Sequence, residues 1–441
     1  MDQITTAKGS ISGIQKEGYA VFPGIPYAQA PVGENRWRAP LPVAPWEGVY
    51  RAERFPNRSM QEASRTDGFY DKEFYDEAAY QTPVSEDCLY LNVWTPAESA
   101  EAKLPVAFWI HGGAFLGGFG HEKEFDGAAF CRKGVILVTI NYRLGPLGFL
   151  AHPLLSAERK AGGGPAISGN YGILDQIAAL DWVRENIAAF GGDPENITVF
   201  GQSAGCMSVQ TLISSPLTQG KIARAILQSG VGLSYDHTLL SAEREGEKIA
   251  FNAGVKTLEE LRALPYETLM GAAVPLMVAG MEKMELPFTP LIDGYVLTGG
   301  YNELLHGGKI HDIPYIVGST LNDIGTEPER LAQGDRGKVY AGTADFARAR
   351  LDAGNGNVWR YDFRRQLPGD DAGAFHSSEL WYVFGTYGRC WRPLMDADAA
   401  LSATMVSYWT NFMKTGDPNG EDLPLWRPFR EEDDTIRFDI S

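Results

Sequence analysis

The sequence predicts an α/β fold in which a largely parallel sheet carries helices on both faces and only a reduced lid region. Three observations carry that expectation. From residue 88 onward short apolar runs alternate with helix-period patterns, the order expected of strand-crossover-strand units. One run, ending in Val199-Phe200, passes directly into GQSAG, a strand-to-helix turn of the G-x-S-x-G type. Another, at 106–110, empties into the glycine-rich stretch HGGAFLGG.

The candidate strands, in chain order, are 88–94, 106–110, 135–140, 197–200, 223–227, 315–317, 358–363 and 436–438. The first two read as antiparallel edge strands. One helix is well determined, because Ile173, Ile177, Leu180, Val183, Ile187 and Phe190 fall three or four apart and Gly191-Gly192-Asp193-Pro194 stops it. It feeds the strand that delivers Ser203. The stretch 241–290 reads as short helices broken by Gly and Pro, and 394–413 as a longer C-terminal helix. Residues 51–84, rich in Tyr, Asp and Glu, have no clear period and are expected to form a surface loop over the site. No linker divides the chain, so residues 1–441 are expected to form a single domain.

Composition narrows the class. With 441 residues, 44% hydrophobic and 22% charged, the chain can bury a sizeable core. A net charge of −17 argues against a nucleic-acid partner, which calls for a basic surface. No apolar run reaches the ~18 residues of a membrane span, and MDQITTAKGSISG lacks the basic start and apolar core of a signal peptide, so a cytoplasmic protein without a membrane partner is expected. Cys88, Cys131, Cys206 and Cys390 are scattered without metal-ligand spacing and are expected to be four buried thiols.

The chemistry follows from GQSAG. A serine hydroxyl is a weak nucleophile at neutral pH, so Ser203 needs a base and a turn that exposes its oxygen. Gly201 and Gly205 leave room where strand, turn and helix crowd together. A base and an acid in the order Ser, acid, His should sit at the carboxyl ends of strands. His111, His121 and His152 precede Ser203. His306 and His311 fall at the amino end of the 315–317 strand, and His237 leaves only Asp236 between itself and Ser203. His376, beyond the strand 358–363, remains. The acid is then Asp323, a few residues past Val317, with Asp293 in LIDGY and the neighbouring Asn322 as rivals. The backbone N–H groups of Gly113 and Ala114, after the strand 106–110, are candidate donors to a developing oxyanion together with that of Ala204.

These motifs resemble those of the type B carboxylesterases, the α/β-hydrolase group that includes cholinesterases. The resemblance runs through FPGIPYAQAPVGENRWRAP (22–40), SEDCLYLNVWTP (85–96), WIHGGAF (109–115), NYRLGPLGFL (141–150), the long block 169–205 and NFMKTGDPN (411–419). It implies an α/β-hydrolase fold, Ser203 as nucleophile, His376 as base, and Gly113, Ala114 and Ala204 as oxyanion donors. It further implies Ser229 in QSG and Gln202 as residues supporting the site, and ion pairs Arg36–Glu86 and Arg143–Asp175. Several departures stand out. The family's acid is usually Glu, where this chain has Asp323. The residue before the nucleophile is commonly Glu, where this chain has Gln202. Ser59 and Met60 stand where secreted members have the cysteine that pairs with the match of Cys88, and residues 74–84 lack the tryptophan with which choline-hydrolysing members hold a quaternary ammonium. The span from Ser203 to His376 is also shorter than in typical relatives, which implies a more open cleft.

The expected function is hydrolysis of short-to-medium acyl or aryl carboxylic esters through an acyl-enzyme, with no metal or cofactor, by a monomer or homodimer. A feruloyl-type aryl esterase is the alternative within enzymes, and a non-catalytic binding module the alternative outside them.

Overall fold

In the run LPVAFWI, Val106, Phe108 and Ile110 pack into one hydrophobic core while Ala107 and Trp109 pack into another. Successive side chains of a strand point to opposite faces, so this run lies inside a sheet covered on both sides. The computed structural model describes residues 3–63, 68–233, 236–283 and 285–440. Among these, ten strands form the main sheet. In chain order they are β1 (Ile14–Lys16), β2 (Tyr19–Pro26), β3 (Tyr90–Thr95), β4 (Leu104–Ile110), β5 (Ile136–Ile140), β6 (Gly192–Gln202), β7 (Arg224–Gln228), β8 (Tyr315–Thr320), β9 (Val358–Phe363) and β10 (Ile436–Phe438). Their spatial order is β10-β9-β8-β7-β6-β4-β5-β3-β2-β1. β4 through β10 pair in parallel, whereas β1, β2 and β3 pair antiparallel.

The fold is the α/β-hydrolase architecture that the motifs imply, with two corrections at the sheet's edge. β4 is neither antiparallel nor peripheral: it lies between β5 and β6, parallel to both. β3 is antiparallel, but it is flanked by β5 and β2. The edge falls instead to β1, upstream of residue 88, where the alternation is too short to stand out in the sequence. β6 is also longer than the 197–200 core, because Gly192 pairs with Leu104 before the register shifts ahead of Ile197.

Helices cover both faces. Those that matter below are α1 (Phe69–Phe74), α2 (Tyr171–Asn186), α3 (Ala204–Ser214), α4 (Leu239–Asn252), α5 (Tyr266–Lys283) and α6 (Asp396–Thr415). Four of the predicted stripe residues lie buried on α2, and Ile187 and Phe190 follow in a tighter turn that Gly191 ends at φ 80°. α5 departs from expectation, since its eighteen residues run through Pro275 instead of breaking there. Pro275 is exposed, and solvent can serve the carbonyl that the missing N–H leaves unpaired. All four cysteines are free; Cys88, Cys131 and Cys206 are buried, but Cys390 is only partly so. Among the described residues no helix is long and apolar enough to cross a membrane.

Both implied ion pairs form. Arg36 Nε donates to Glu86 Oε2 at 2.7 Å. Arg143 holds Asp175 through its backbone N–H (3.0 Å), Nε (2.8 Å) and a terminal nitrogen (2.6 Å), with both side chains buried. Removing one partner leaves the other charge buried without compensation. Arg143→Met is therefore expected to lower the unfolding free energy by about 3–5 kcal/mol, read as a drop in the urea midpoint at unchanged slope.

Candidate active site

Ser203 sits on a strained turn between β6 and α3, at φ 57° and ψ −124°, a conformation L residues rarely adopt. Two glycines permit it. A Cβ on Gly205 would lie 2.1 Å from the carbonyl oxygen of Ile110, and one on Gly201 would lie 2.6 Å from the carbonyl of Gly205. The N–H of Ser203 donates to the carbonyl of Gln228 on β7 at 3.0 Å, which fixes the turn, and the side chain is left partly exposed.

The neighbouring strand β4 delivers the glycine-rich turn to the same place. Gly112 faces the serine closely enough that a Cβ there would come within 3.1 Å of Ser203 Cβ. Gly113 (φ 97°) and Ala114 (φ 55°) then turn the chain in left-handed conformations, and among the described residues their N–H groups make no backbone hydrogen bond. Ala204, the first residue of α3, has an N–H without an intrahelical acceptor by position. Among the described residues three N–H groups close to the serine in the chain or on the facing turn thus have no backbone acceptor, two from the turn and one from the helix start.

Asp323 follows β8 and His376 follows β9, both at the carboxyl ends of the strands, and the two meet: His376 Nδ1 lies 2.6 Å from Asp323 Oδ1. Asp323 also accepts from the N–H groups of Thr320 (3.0 Å) and Ile324 (2.8 Å). Burial pushes its carboxyl up, but the His376 imidazole, the Ser229 hydroxyl and the Thr320 N–H outweigh burial and hold it below the usual carboxylate range. Ser229, at φ 50° on the turn after β7, is fully buried close to Asp323 without completing a hydrogen bond of its own. The rivals have other partners. Asp293 accepts from the N–H groups of Tyr295, Val296 and Leu297 and from Asn170 Nδ2 at 2.9 Å, the bonds of a turn carboxylate. Asn322 fastens the His376 loop, donating its N–H to the carbonyl of Ala374 and accepting from the Ala374 N–H on Oδ1. His311 reaches the carbonyl of Ser215 beyond the far end of α3, and His306 pairs with Asp345 at the surface.

Gln202 is brought in as well, for its Nε2 lies 3.1 Å from His376 Nε2. Two further neighbours have no counterpart in the sequence reading. The phenol of Tyr70, on α1, donates to the carbonyl of His376 at 3.2 Å, while Phe69 packs edge-on against Phe375 with ring centroids 4.9 Å apart. Within the stretch 51–84, α1 therefore packs against the His376 loop and is tied down, no simple loop. Glu73, 1% exposed, accepts from Trp381 Nε1 (3.0 Å), Trp391 Nε1 (2.8 Å) and Arg392 Nε. Burial and the nearby Asp323 charge push the Glu379 carboxyl up to about 7. A six-residue helix is too short to reveal a period, and a Glu within it gives no hint of its partners, so only the aromatic content of 69–75 could have flagged α1.

Among the described residues no group of three or more His, Cys, Asp or Glu is arranged to hold a metal ion. The arrangement offers an exposed hydroxyl on a rigid turn, an imidazole fixed by a carboxylate, and unpaired backbone donors, which together suit acyl transfer.

The comparisons with known proteins agree on one family. The model of the carboxylesterase family matches residues 1–338 and 338–440. A para-nitrobenzyl esterase of Bacillus subtilis (strain 168) is 34% identical over 97% of this chain and 93% of its own length. A fumonisin B1 esterase of Sphingopyxis macrogoltabida is 33% identical over 98% of this chain and 85% of its own. Among solved structures, a PNB esterase superposes with a TM-score of 0.83 at 33% identity, covering 96% of this chain and 92% of that one. A Geobacillus stearothermophilus carboxylesterase gives 0.82 at 34% identity, covering 100% and 96%.

Proposed function

The chain belongs to the carboxylesterase family and hydrolyses carboxylic esters, and we propose that it does so through an acyl-enzyme formed on Ser203. In this reading Ser203 Oγ attacks the ester carbonyl while His376 Nε2 takes its proton, and Asp323 orients the ring and stabilises the imidazolium. The N–H groups of Gly113, Ala114 and Ala204 bind the oxyanion. His376 then protonates the leaving alcohol, and a water activated by the same imidazole releases the acid. The observation that carries the reading is the 2.6 Å contact between His376 and Asp323, made at strand ends next to the turn that holds Ser203. Ser229 supports the ionised Asp323. The reading takes residues 1–441 as a single domain, acting as a monomer or homodimer in the cytoplasm, a compartment suited to four unpaired thiols.

The substrates are short-to-medium acyl or aryl esters. Met207 lies one turn beyond Ser203 on α3 and, with Leu233, Ile292 and Leu297, lines a small cavity of about 40 Å³, which supports a preference for short chains. A feruloyl-type aryl preference is the second reading, favoured by Phe69 and Tyr70, which remain partly exposed beside the His376 loop. A panel of p-nitrophenyl acetate, butyrate and octanoate with methyl ferulate separates them. The first reading expects kcat/KM to fall from butyrate to octanoate and to stay low on methyl ferulate. A higher value on methyl ferulate than on any aliphatic ester favours the second.

A further inference from the structure

The amide of Gln202 stands where the base does its work. Because Asp323 is held ionised and can only accept, Nδ1 of His376 carries the proton of the neutral ring and Nε2 carries the lone pair. An amide nitrogen can only donate, so the 3.1 Å contact from Gln202 Nε2 is an N–H···N bond onto that lone pair. It is the same lone pair that must take the Ser203 proton. The Ser203 hydroxyl itself makes no hydrogen bond among the described residues. We propose that Gln202 caps the proton-accepting nitrogen of His376 in the resting enzyme, and that the imidazole exchanges this amide for the Ser203 hydroxyl at the start of each turnover. The inference rests on the triad reading above and adds a resting state to it.

The amide is well placed for this role. Gln202 is 3% exposed and is the last residue of β6, paired with Gln228 of β7, so its backbone is fixed. Its Oε1 lies beside Gly112, where a Cβ would come within 3.3 Å of it, so the glycine leaves the amide room to turn. An amide also serves both protonation states of the ring. Turned over, it presents Oε1 to the Nε2–H of an imidazolium, which a glutamate does equally, but only the amide can donate to the neutral base. The other charged or titratable groups facing His376 are Asp323 after β8, Glu379 on its own loop and the phenol of Tyr70 on α1. From β6 the ring therefore meets a neutral partner, and a carboxylate at 202 would add another negative charge to Asp323 and Glu379.

The rate at which a fluorophosphonate labels Ser203, followed by intact mass between pH 5 and 9, tests the proposal in wild type, Gln202→Met and Gln202→Glu. Loss of the competing donor is expected to raise the alkaline plateau of Gln202→Met about 2- to 12-fold, the worth of one ordinary hydrogen bond. In Gln202→Glu a carboxylate within reach of the imidazolium is expected to move the acid limb of the profile upward by about one to three pH units. An unmoved acid limb in Gln202→Glu overturns the proposal, because a purely structural side chain would change amplitude without changing the limb. An unchanged or lower plateau in a folded Gln202→Met variant overturns it too. Labelling of Ser203→Ala at the wild-type rate would instead sink the triad reading beneath it.

Discussion

Replacing Ser203 with alanine is expected to lower turnover of a chromogenic ester by a factor on the order of 10⁶, the scale seen when a triad nucleophile is removed. In the proposed mechanism the change takes away the hydroxyl that forms the acyl bond while leaving the rest of the site standing. The residue that follows still begins α3, the turn is still held by its N–H bond to Gln228, and the donors at Gly113, Ala114 and Ala204 remain. Those donors and the binding surface account for the residual rate expected above the uncatalysed reaction. Alanine also has no better access than serine to φ 57°, so folding should be little affected. Steady-state assay with a p-nitrophenyl ester, beside a thermal melt of the same preparation, checks both halves of the claim. Activity within tenfold of wild type would remove Ser203 from the mechanism.

Changing Asp323 to Asn is expected to cost about 10⁴ in turnover, through the wrong ring tautomer rather than through lost geometry. The carboxylate accepts from His376 Nδ1 and from the N–H groups of Thr320 and Ile324. An asparagine can keep one backbone acceptor role, but its amide nitrogen turned toward the ring donates to Nδ1 and forces the ring proton to Nε2, which then has no lone pair to take the Ser203 proton. Asp293→Asn is the paired control. Its carboxylate caps a turn through the N–H groups of residues 295–297, so its replacement should leave turnover nearly unchanged and cost about 1–3 kcal/mol of stability. A crippled Asp293→Asn with an active Asp323→Asn would reverse the assignment of the acid.

The candidate site was more legible in the sequence than the sheet. Ser203, His376 and Asp323 stand out because chain order and strand ends restrict which residues could act together, and the structure brings the latter two within hydrogen-bond distance. The central strand β4 was misread as an edge strand although LPVAFWI is apolar without alternation, the pattern of a strand covered on both faces. Of the N-terminal strands, β1 has only three residues, too few to establish a period, and the apolar run of β2 is interrupted by Pro23 and Gly24, residues that read as a turn. The expectation of short helices broken by Gly and Pro over 241–290 fails at α5, where local propensity favours a break at Pro275 and the packing of Leu269, Met270, Ala272 and Ala273 overrides it. Tyr70 and Glu73 were invisible for a different reason. Their roles depend on partners some three hundred positions away, at His376, Trp381 and Arg392, and no local pattern records such a meeting.

The nucleophile turn and the glycine turn leave adjacent strands, β6 and β4, in the middle of the sheet. Their spacing is set by ladder bonds that no peripheral segment supplies. The stretch carrying α4 and α5 adds no strand to this sheet, and its buried residues Ile249, Ala250, Leu269 and Ala273 pack on the core from outside the ladder. Substitutions confined to its exposed face are therefore expected to leave the register between the serine and the glycine turn unchanged.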